Sequence, residues 1–354
     1  MKIFQKAIRW WGLILLGMAF FIRIIFALNP DIFERVYFFR FFPILRTLQA
    51  VAYPIWILPG YSIMFIALVL WLVFRLSSES RRRSFGRRTV NLVGFWVSLF
   101  LVCFGYVYLD KGFAVRANLP PAPAEVAIVD VYFEAVKDAF DARKNIEGIP
   151  TDSSIVSLAY MPSDQAISSW VRRELRQVGY HPDWQSSVRL IRPEGALRRL
   201  SISGIYNPFT GEANVDPALP NISMIFVKAH ELAHAYGISS EAEANFIAYL
   251  ACIRSGERMA EYAGAYAIWR QIAQEVNRTQ DKAALSAIHD RIPMELLRDR
   301  EAIRAAYFKH KAYFPELSES VNDGYLKLQG ITDGTEDYDR FLQLYLAWKL
   351  TELP

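Results

Sequence analysis

Three long apolar runs within the first 109 residues constrain this chain more than any other feature. The first is Ile8–Leu28, interrupted after its basic start at Arg9 by Arg23 alone; the second, Ile55–Phe74, and the third, Val90–Leu109, carry no charge at all. A helix rises about 1.5 Å per residue, so about 20 apolar residues cross the ~30 Å hydrocarbon layer of a bilayer. The runs therefore predict three transmembrane helices over about 8–28, 55–74 and 90–109. Lys2, Lys6 and Arg9 resemble the basic start of a signal peptide, but no small-x-small cleavage site follows, so the first run reads as a retained span.

The charge distribution agrees with that division. Up to Leu109 there are 13 Lys/Arg against 3 Asp/Glu; from Asp110 onward there are 27 against 33. The net +4 therefore describes no single surface, and the basic excess reads as membrane topology, with no nucleic-acid patch. Arg75, Arg81, Arg82, Arg83, Arg87 and Arg88 crowd Arg75–Thr89, which the positive-inside rule puts in the cytoplasm with the N-terminus. Asn29–Pro54, aromatic and amphipathic, would then lie along the outer interface, and everything after Leu109 outside. Residues 1–109 read as a membrane domain, 110–124 as a Pro-rich linker containing ANLPPAPA, and 125–354 as an extracytoplasmic domain. The localisation implied is a multi-pass protein of the cell (plasma or inner) membrane.

In the outer domain, periodicity predicts helices over Glu125–Ala142 and Ser163–Gly179 and strands at Ile155–Tyr160, Val188–Ile191 and Leu200–Ile205, with a turn at Phe209–Glu212. From there helices predominate: Ser223–Tyr236, Ser240–Ser255, Glu257–Asn277, Lys282–Asp290, Met294–Tyr313, Glu316–Leu328 and Glu336–Leu350. The fold class expected is mainly α, three transmembrane helices followed by a mostly helical α+β domain. Cys103 and Cys252 sit in apolar contexts and read as core residues.

The chemistry concentrates in Met224–Leu250, where His230, Glu231 and His234 form H-E-x-x-H. On a helix, i and i+4 share a face, so both imidazoles can hold one ion, with Glu231 as general base for its water. The helix is otherwise apolar, and buried His and Glu need partners, which a metal supplies. Gly237 offers a helix stop and Ser239 or Ser240 a cap for a second helix bearing Glu241, Glu243 and Asn245. A turn between the two would return a carboxylate as third ligand: Glu241, which shares a face with Asn245, is the better candidate, and Glu243 stays open. The competing reading has the His residues satisfied by hydrogen bonds and the Glu residues solvated. Tyr206, Tyr236, Tyr249, Tyr266 and His289 all qualify chemically as a transition-state donor, and an upstream strand, Leu200–Tyr206 or Glu212–Val215, could line the cleft.

HELAHAYG followed by EAEANFIAYLAC, preceded by SGIYNPFTGEANV and followed by VNDGYLKLQG, resembles the bacterial membrane family catalogued as domain of unknown function 3810. The resemblance covers nearly the whole chain and implies a zincin-type metallopeptidase without naming a substrate. Glu241–Asn245 is similar to the E-x-x-A-D/N signature of gluzincin peptidases, whose Glu is the third zinc ligand, which favours Glu241. HAYGISS is similar to the metzincin H-x-x-G-x-x-H, but Ser240 stands where the third His belongs. Asn322 and Asp323 belong to the later motif, either as a buried polar network or as a wall of the cleft.

The function expected is a membrane-anchored zinc metallopeptidase acting outside the cytoplasm, with Zn2+ on His230, His234 and Glu241 and with Glu231 catalytic. Its partners would be a peptide or protein substrate and the lipid bilayer, with no nucleic acid. The alternative is a non-catalytic sensor or envelope assembly factor whose metal site is structural or vestigial. An intramembrane protease is excluded, because His230 lies some 120 residues beyond the last apolar run, in a charged domain.

Overall fold

Helix α1, Trp11–Leu28, presents Phe21, Ile24 and Leu28 outward and buries only Gly12 and Ala19. It belongs to a computed structural model that describes residues 9–52, 67–72, 74, 85–123, 125–147, 153–310, 313 and 334–351. Two units divide the chain. One is Met1–Lys111 with Asp183–Ser187 and Asn207–Glu212; the other is Gly112–Pro182, Val188–Tyr206 and Ala213–Pro354.

In the first unit, α1 is followed by one α-helical turn, Pro30–Ile32, a π-helical stretch, Phe33–Phe41, and helix α2, Phe42–Ala52. Helix α3, Phe85–Cys103, packs along α1, and a 3-10 turn, Gly105–Leu109, comes after it. The two helices approach closely at Gly12 and Gly94, where a Cβ on either would collide with the other's backbone. Buried Asn91 serves this junction twice: its Oδ1 accepts from the Gly12 N–H at 3.1 Å and its Nδ2 donates to the Arg9 carbonyl at 2.9 Å. The Gly12 N–H is in the first turn of α1, where no intrahelical acceptor exists.

The three-span expectation is corrected here. Among the described residues, Trp11–Leu28 is the one helix long and apolar enough to cross a membrane. By length and composition it meets the requirements of an anchor or of a signal sequence. The third run fails because its helix stops at Cys103, leaving Val90–Cys103 at about 21 Å, short of ~30 Å. The helix also begins on Arg87 and Arg88 and turns Asn91 and Ser98 inward. Most of the second run lies outside the described residues. The multi-pass arrangement is not retained.

The second unit is mostly helical. Helices α4, Ile128–Lys144, and α5, Asp164–Gln177, precede three short strands: β1, Val188–Leu190; β2, Gly204–Asn207; and β3, Glu212–Val215. The sheet order is β1-β3-β2, with β1 parallel to β3 (Val188 opposite Ala213) and β2 at an edge. Then come α6, Asn221–Ala235; α7, Glu241–Ile253; α8, Arg258–Thr279; α9, Lys282–His289; α10, Met294–Phe308; and α11, Gly334–Thr351. Helices α6 and α7 are apolar nearly all round, so they must be enclosed, and α5 and α8 pack against them. Helix α11 closes α7 through Phe341, Tyr345 and Trp348 against Phe246 and Tyr249.

The strand expected at Ile155–Tyr160 is instead a 3-10 turn, Ile155–Ser157. Side chains take the donors a ladder would need: Asp299 accepts from the Ile155 N–H at 2.8 Å, and the Ser154 side chain caps Val156. The expected Leu200–Ile205 strand falls later, at Gly204–Asn207, because Arg198–Leu200 forms a 3-10 turn ended by left-handed Ser201. Glu212, expected in a turn, opens β3 and is buried, accepting from Thr210 Oγ1 at 2.7 Å. The helix expected at Glu316–Leu328 lies outside the described residues.

Asp299 ties α4, α8 and α10 to that 3-10 turn. Its fully buried carboxylate also accepts from Arg143 Nε and Tyr262 Oη, each at 2.7 Å. Replacing it with Ala leaves the buried Arg143 charge uncompensated. Asp299→Ala is expected to cost about 3–5 kcal/mol in a denaturant titration of the purified protein; a loss below about 1 kcal/mol, the value of an exposed pair, would contradict this role.

Candidate metal centre

Helix α6 displays His230 and His234 on one face, their rings edge to face at 4.8 Å. The turn at the end of α6 fixes the second ring. Gly237 adopts φ 99°, open to glycine at no steric cost, and lets the chain fold back in a Schellman turn. The Gly237 N–H bonds to the His234 carbonyl at 3.0 Å and the Ile238 N–H to the Ala233 carbonyl at 3.1 Å. The turn delivers the Ile238 carbonyl to His234 Nδ1 at 2.7 Å. Nδ1–H is therefore the donor, and Nε2 faces His230.

After the turn, the Ser240 side chain caps α7 through the Glu243 N–H at 3.4 Å. Glu241 is then the first helical residue, and its carboxylate returns to the two rings. His230 Nε2 and His234 Nε2 are 3.2 Å apart; Glu241 Oε2 is 3.1 Å from the first and Oε1 3.5 Å from the second. Taking one ligand atom from each residue, the three atoms lie within 4.8 Å of one another, near enough for one ion whose bonds to nitrogen and oxygen are about 2.0–2.2 Å. Among the described residues, His230, His234 and Glu241 are the group of His, Cys or acidic side chains spaced to share an ion. His230 Nδ1 is buried with no hydrogen-bond partner among the described residues.

The charges are strongly coupled. Burial works against the His234 imidazolium, but the Glu241 charge and hydrogen bond, Glu231 and the Ile238 carbonyl together raise its pKa to about 9. Burial disfavours the Glu241 carboxylate too, yet the two rings hold it well below the usual range. A proton on His234 Nε2 thus lies between the His230 ring and the Glu241 carboxylate, where a cation would sit.

Glu231 is buried beside them. Burial pushes its carboxyl up to about 7, against the pull of His230 and His234, while Glu241 adds to the rise and the Tyr206 backbone N–H opposes it. The edge strand β2 is thereby drawn onto Glu231. Gly204 makes the approach possible: a Cβ there would lie 2.6 Å from Glu231 Oε1 and 2.7 Å from Val227 Cγ1. Sequence reasoning missed this role. A glycine inside a strand pattern, in SGIYN, is the signal that marks such a contact.

Glu243, the other acidic candidate, is elsewhere. Its carboxylate is buried against Gly112 and accepts from the Arg340 guanidinium at 3.2 Å. Asn245 is half-buried one turn after Glu241. Among the possible donors, Tyr206 touches Glu231 through its backbone. Tyr236 Oη is 2.6 Å from Ser168 Oγ, Tyr249 packs on Tyr345 and Trp348, Tyr266 packs on Tyr262 and Trp269, and His289 meets Arg300 on the exposed side of α9. Asn322 and Asp323 lie outside the described residues.

A family model described as a protein of unknown function (DUF3810) matches residues 37–346. No curated protein and no solved structure matches the chain. The zincin-like architecture expected of the outer domain is therefore dropped: the observed helices and three-stranded sheet have no structural counterpart to support it.

Because His234 carries a proton to about 9, the stability its pair with Glu241 gives the chelator-stripped protein is complete below about 6.5 and is lost as pH rises through about 9. A metal held by these residues would have to displace that proton. Zinc affinity of the stripped protein, read by chelator competition, is expected to rise by up to about tenfold per pH unit approaching pH 9. A flat profile would contradict the protonated triangle.

Proposed function

The chain belongs to that family of unknown function, and we propose that it is a zinc-dependent peptide hydrolase anchored to a membrane. The observation that carries the reading is the convergence of His230, His234 and Glu241 on one point, with a buried carboxylate, Glu231, alongside. Two imidazoles and one carboxylate are a frequent catalytic zinc set, which leaves one coordination position open.

Zinc held by these three residues supplies Lewis acidity, polarising a carbonyl oxygen and lowering the pKa of water toward about 7. Glu231 takes the proton of the attacking water on its carboxylate and returns it to the leaving amine. A carboxyl near neutrality suits both transfers. The Tyr206 N–H and the close backbone of Gly204 keep that carboxyl in place. β2, at the sheet edge, is available to pair with an extended peptide, so a main-chain substrate fits better than a small ester.

Trp11–Leu28 serves as the anchor in this reading. The competing reading is a structural or vestigial site in a sensor or assembly factor. A structural zinc site is closed by a fourth protein ligand; among the described residues the group has three. A structural site also has no use for a carboxylate held as Glu231 is.

With a quenched-fluorescent peptide library as substrate, Glu231→Gln is expected to retain stoichiometric zinc and lose roughly 10²–10⁴-fold in rate. Equal rates in wild type and variant would remove Glu231 from the mechanism, and failure of both to cleave would favour the non-catalytic reading. Gly204→Val is expected to act through the same carboxylate, keeping zinc while lowering the rate; an unaltered rate would detach β2 from catalysis.

A further inference from the structure

Helix α2, Phe42–Ala52, has its polarity inverted. Its one charged residue, Arg46, is 1% exposed, while Ile44, Leu48 and Val51 are 61%, 63% and 71% exposed. In water an isolated helix face would arrange itself the other way, with the arginine out and the aliphatic stripe in. The inward side makes several polar contacts. Arg46 donates to the Cys103 carbonyl at 2.6 Å, the Pro208 carbonyl at 3.0 Å and Gln49 Oε1 at 2.6 Å, and Gln49 donates to the Pro208 and Phe209 carbonyls at 3.1 and 2.9 Å. The outward stripe, at i, i+4 and i+7, carries no charge, and exposed Phe41 extends it.

The position of this helix says what covers it. α2 continues directly from the π-helical Phe33–Phe41, which is fastened to the last turns of α1: Phe26 packs on Phe33 and Tyr37 at 5.9 Å and on Tyr106 at 5.5 Å. The inverted helix therefore starts at the Leu28 end of the apolar span, where a bilayer passes from acyl chains to headgroups. Eleven residues are too few to cross the hydrocarbon but enough to lie in its boundary.

We propose that Phe42–Ala52 lies in the plane of a lipid bilayer, its Ile44–Leu48–Val51 face sunk among acyl chains at the headgroup boundary. This goes beyond the metal chemistry and rests only on α1 as the anchor. The occupant is lipid because exposed Leu28, Ile32, Val36 and Phe41 carry apolar surface from the end of α1 to Ile44, and the one exposed polar side chain of Phe42–Ala52, Thr47, donates to the Pro43 carbonyl of its own helix at 2.8 Å. Arg46 fixes the roll of the helix, since its three acceptors are all on the protein side.

Single cysteines at Ile44, Leu48 and Val51, and at exposed Ser286 on α9 as a control, would be labelled with an environment-sensitive fluorophore in full-length protein reconstituted into phosphatidylethanolamine–phosphatidylglycerol vesicles. Buried Cys103 and Cys252 set the background, measured on protein without an added cysteine. Labels at 44, 48 and 51 are expected to be quenched several-fold more by brominated acyl chains than by aqueous iodide, with the reverse at 286. Quenching by iodide at the three positions overturns the proposal, as does shielding from both quenchers, the result of burial under another part of this chain or a second copy. Vesicle flotation separates the two premises: protein that fails to float removes the anchor, whereas protein that floats with iodide-accessible labels removes only the in-plane helix.

Discussion

Two ring nitrogens 3.2 Å apart, each with one oxygen of the same carboxylate within 3.5 Å, make a costly arrangement unless a proton or a cation joins them. Much of the second unit's local structure can be read as enforcing that encounter. The Schellman turn at Gly237 sets the tautomer of His234, the Ser240 cap starts α7 at the residue that must come back, and apolar packing around α6 and α7 leaves the rings no alternative partners. A proton on His234 meets the charge requirement and so does a divalent ion, which links the site's affinity to acidity.

The first unit obeys a different constraint. Asn91, Ser98 and Arg46 point inward while Phe21, Ile24, Leu48 and Val97 face out, an arrangement that favours surroundings other than water. Asn91 and Arg46 are used there as internal fasteners on backbone groups of neighbouring segments, while Ser98 bonds back to the Gly94 carbonyl of its own helix. Asn91 completes the first turn of α1, and Arg46 gathers carbonyls that helix and strand geometry does not reach. Beside these bonds, the unit holds a buried aromatic cluster of Phe33, Tyr37, Phe38, Phe42 and Tyr106.

The candidate ligands are legible in the sequence because their signal is local. His230, His234 and Glu241 sit on two consecutive helices whose stop and start are written in Gly237 and Ser240, and the resemblance to a gluzincin signature points to the same glutamate. The helices α5 through α9 are legible for the same reason, from caps and 3.6-residue periodicity. The features that escape are decided at a distance. Ile155–Ser157 has strand-like residues, but Asp299, far along the chain, claims its backbone donor. β2 is displaced by a left-handed serine, and the service of Gly204 to Glu231 depends on a helix that folds against it. The third apolar run misleads because composition does not reveal where a helix ends; the break at Phe104 does.

The candidate ligand set occupies twelve consecutive positions, His230 to Glu241, joined by a single reversal of the chain. The whole candidate set is thus carried by one helical hairpin. The basic carboxyl of Glu231, by contrast, is held by a strand from elsewhere in the sequence. A metal-binding assay would therefore report on the hairpin, and a turnover assay on the meeting of sheet and hairpin.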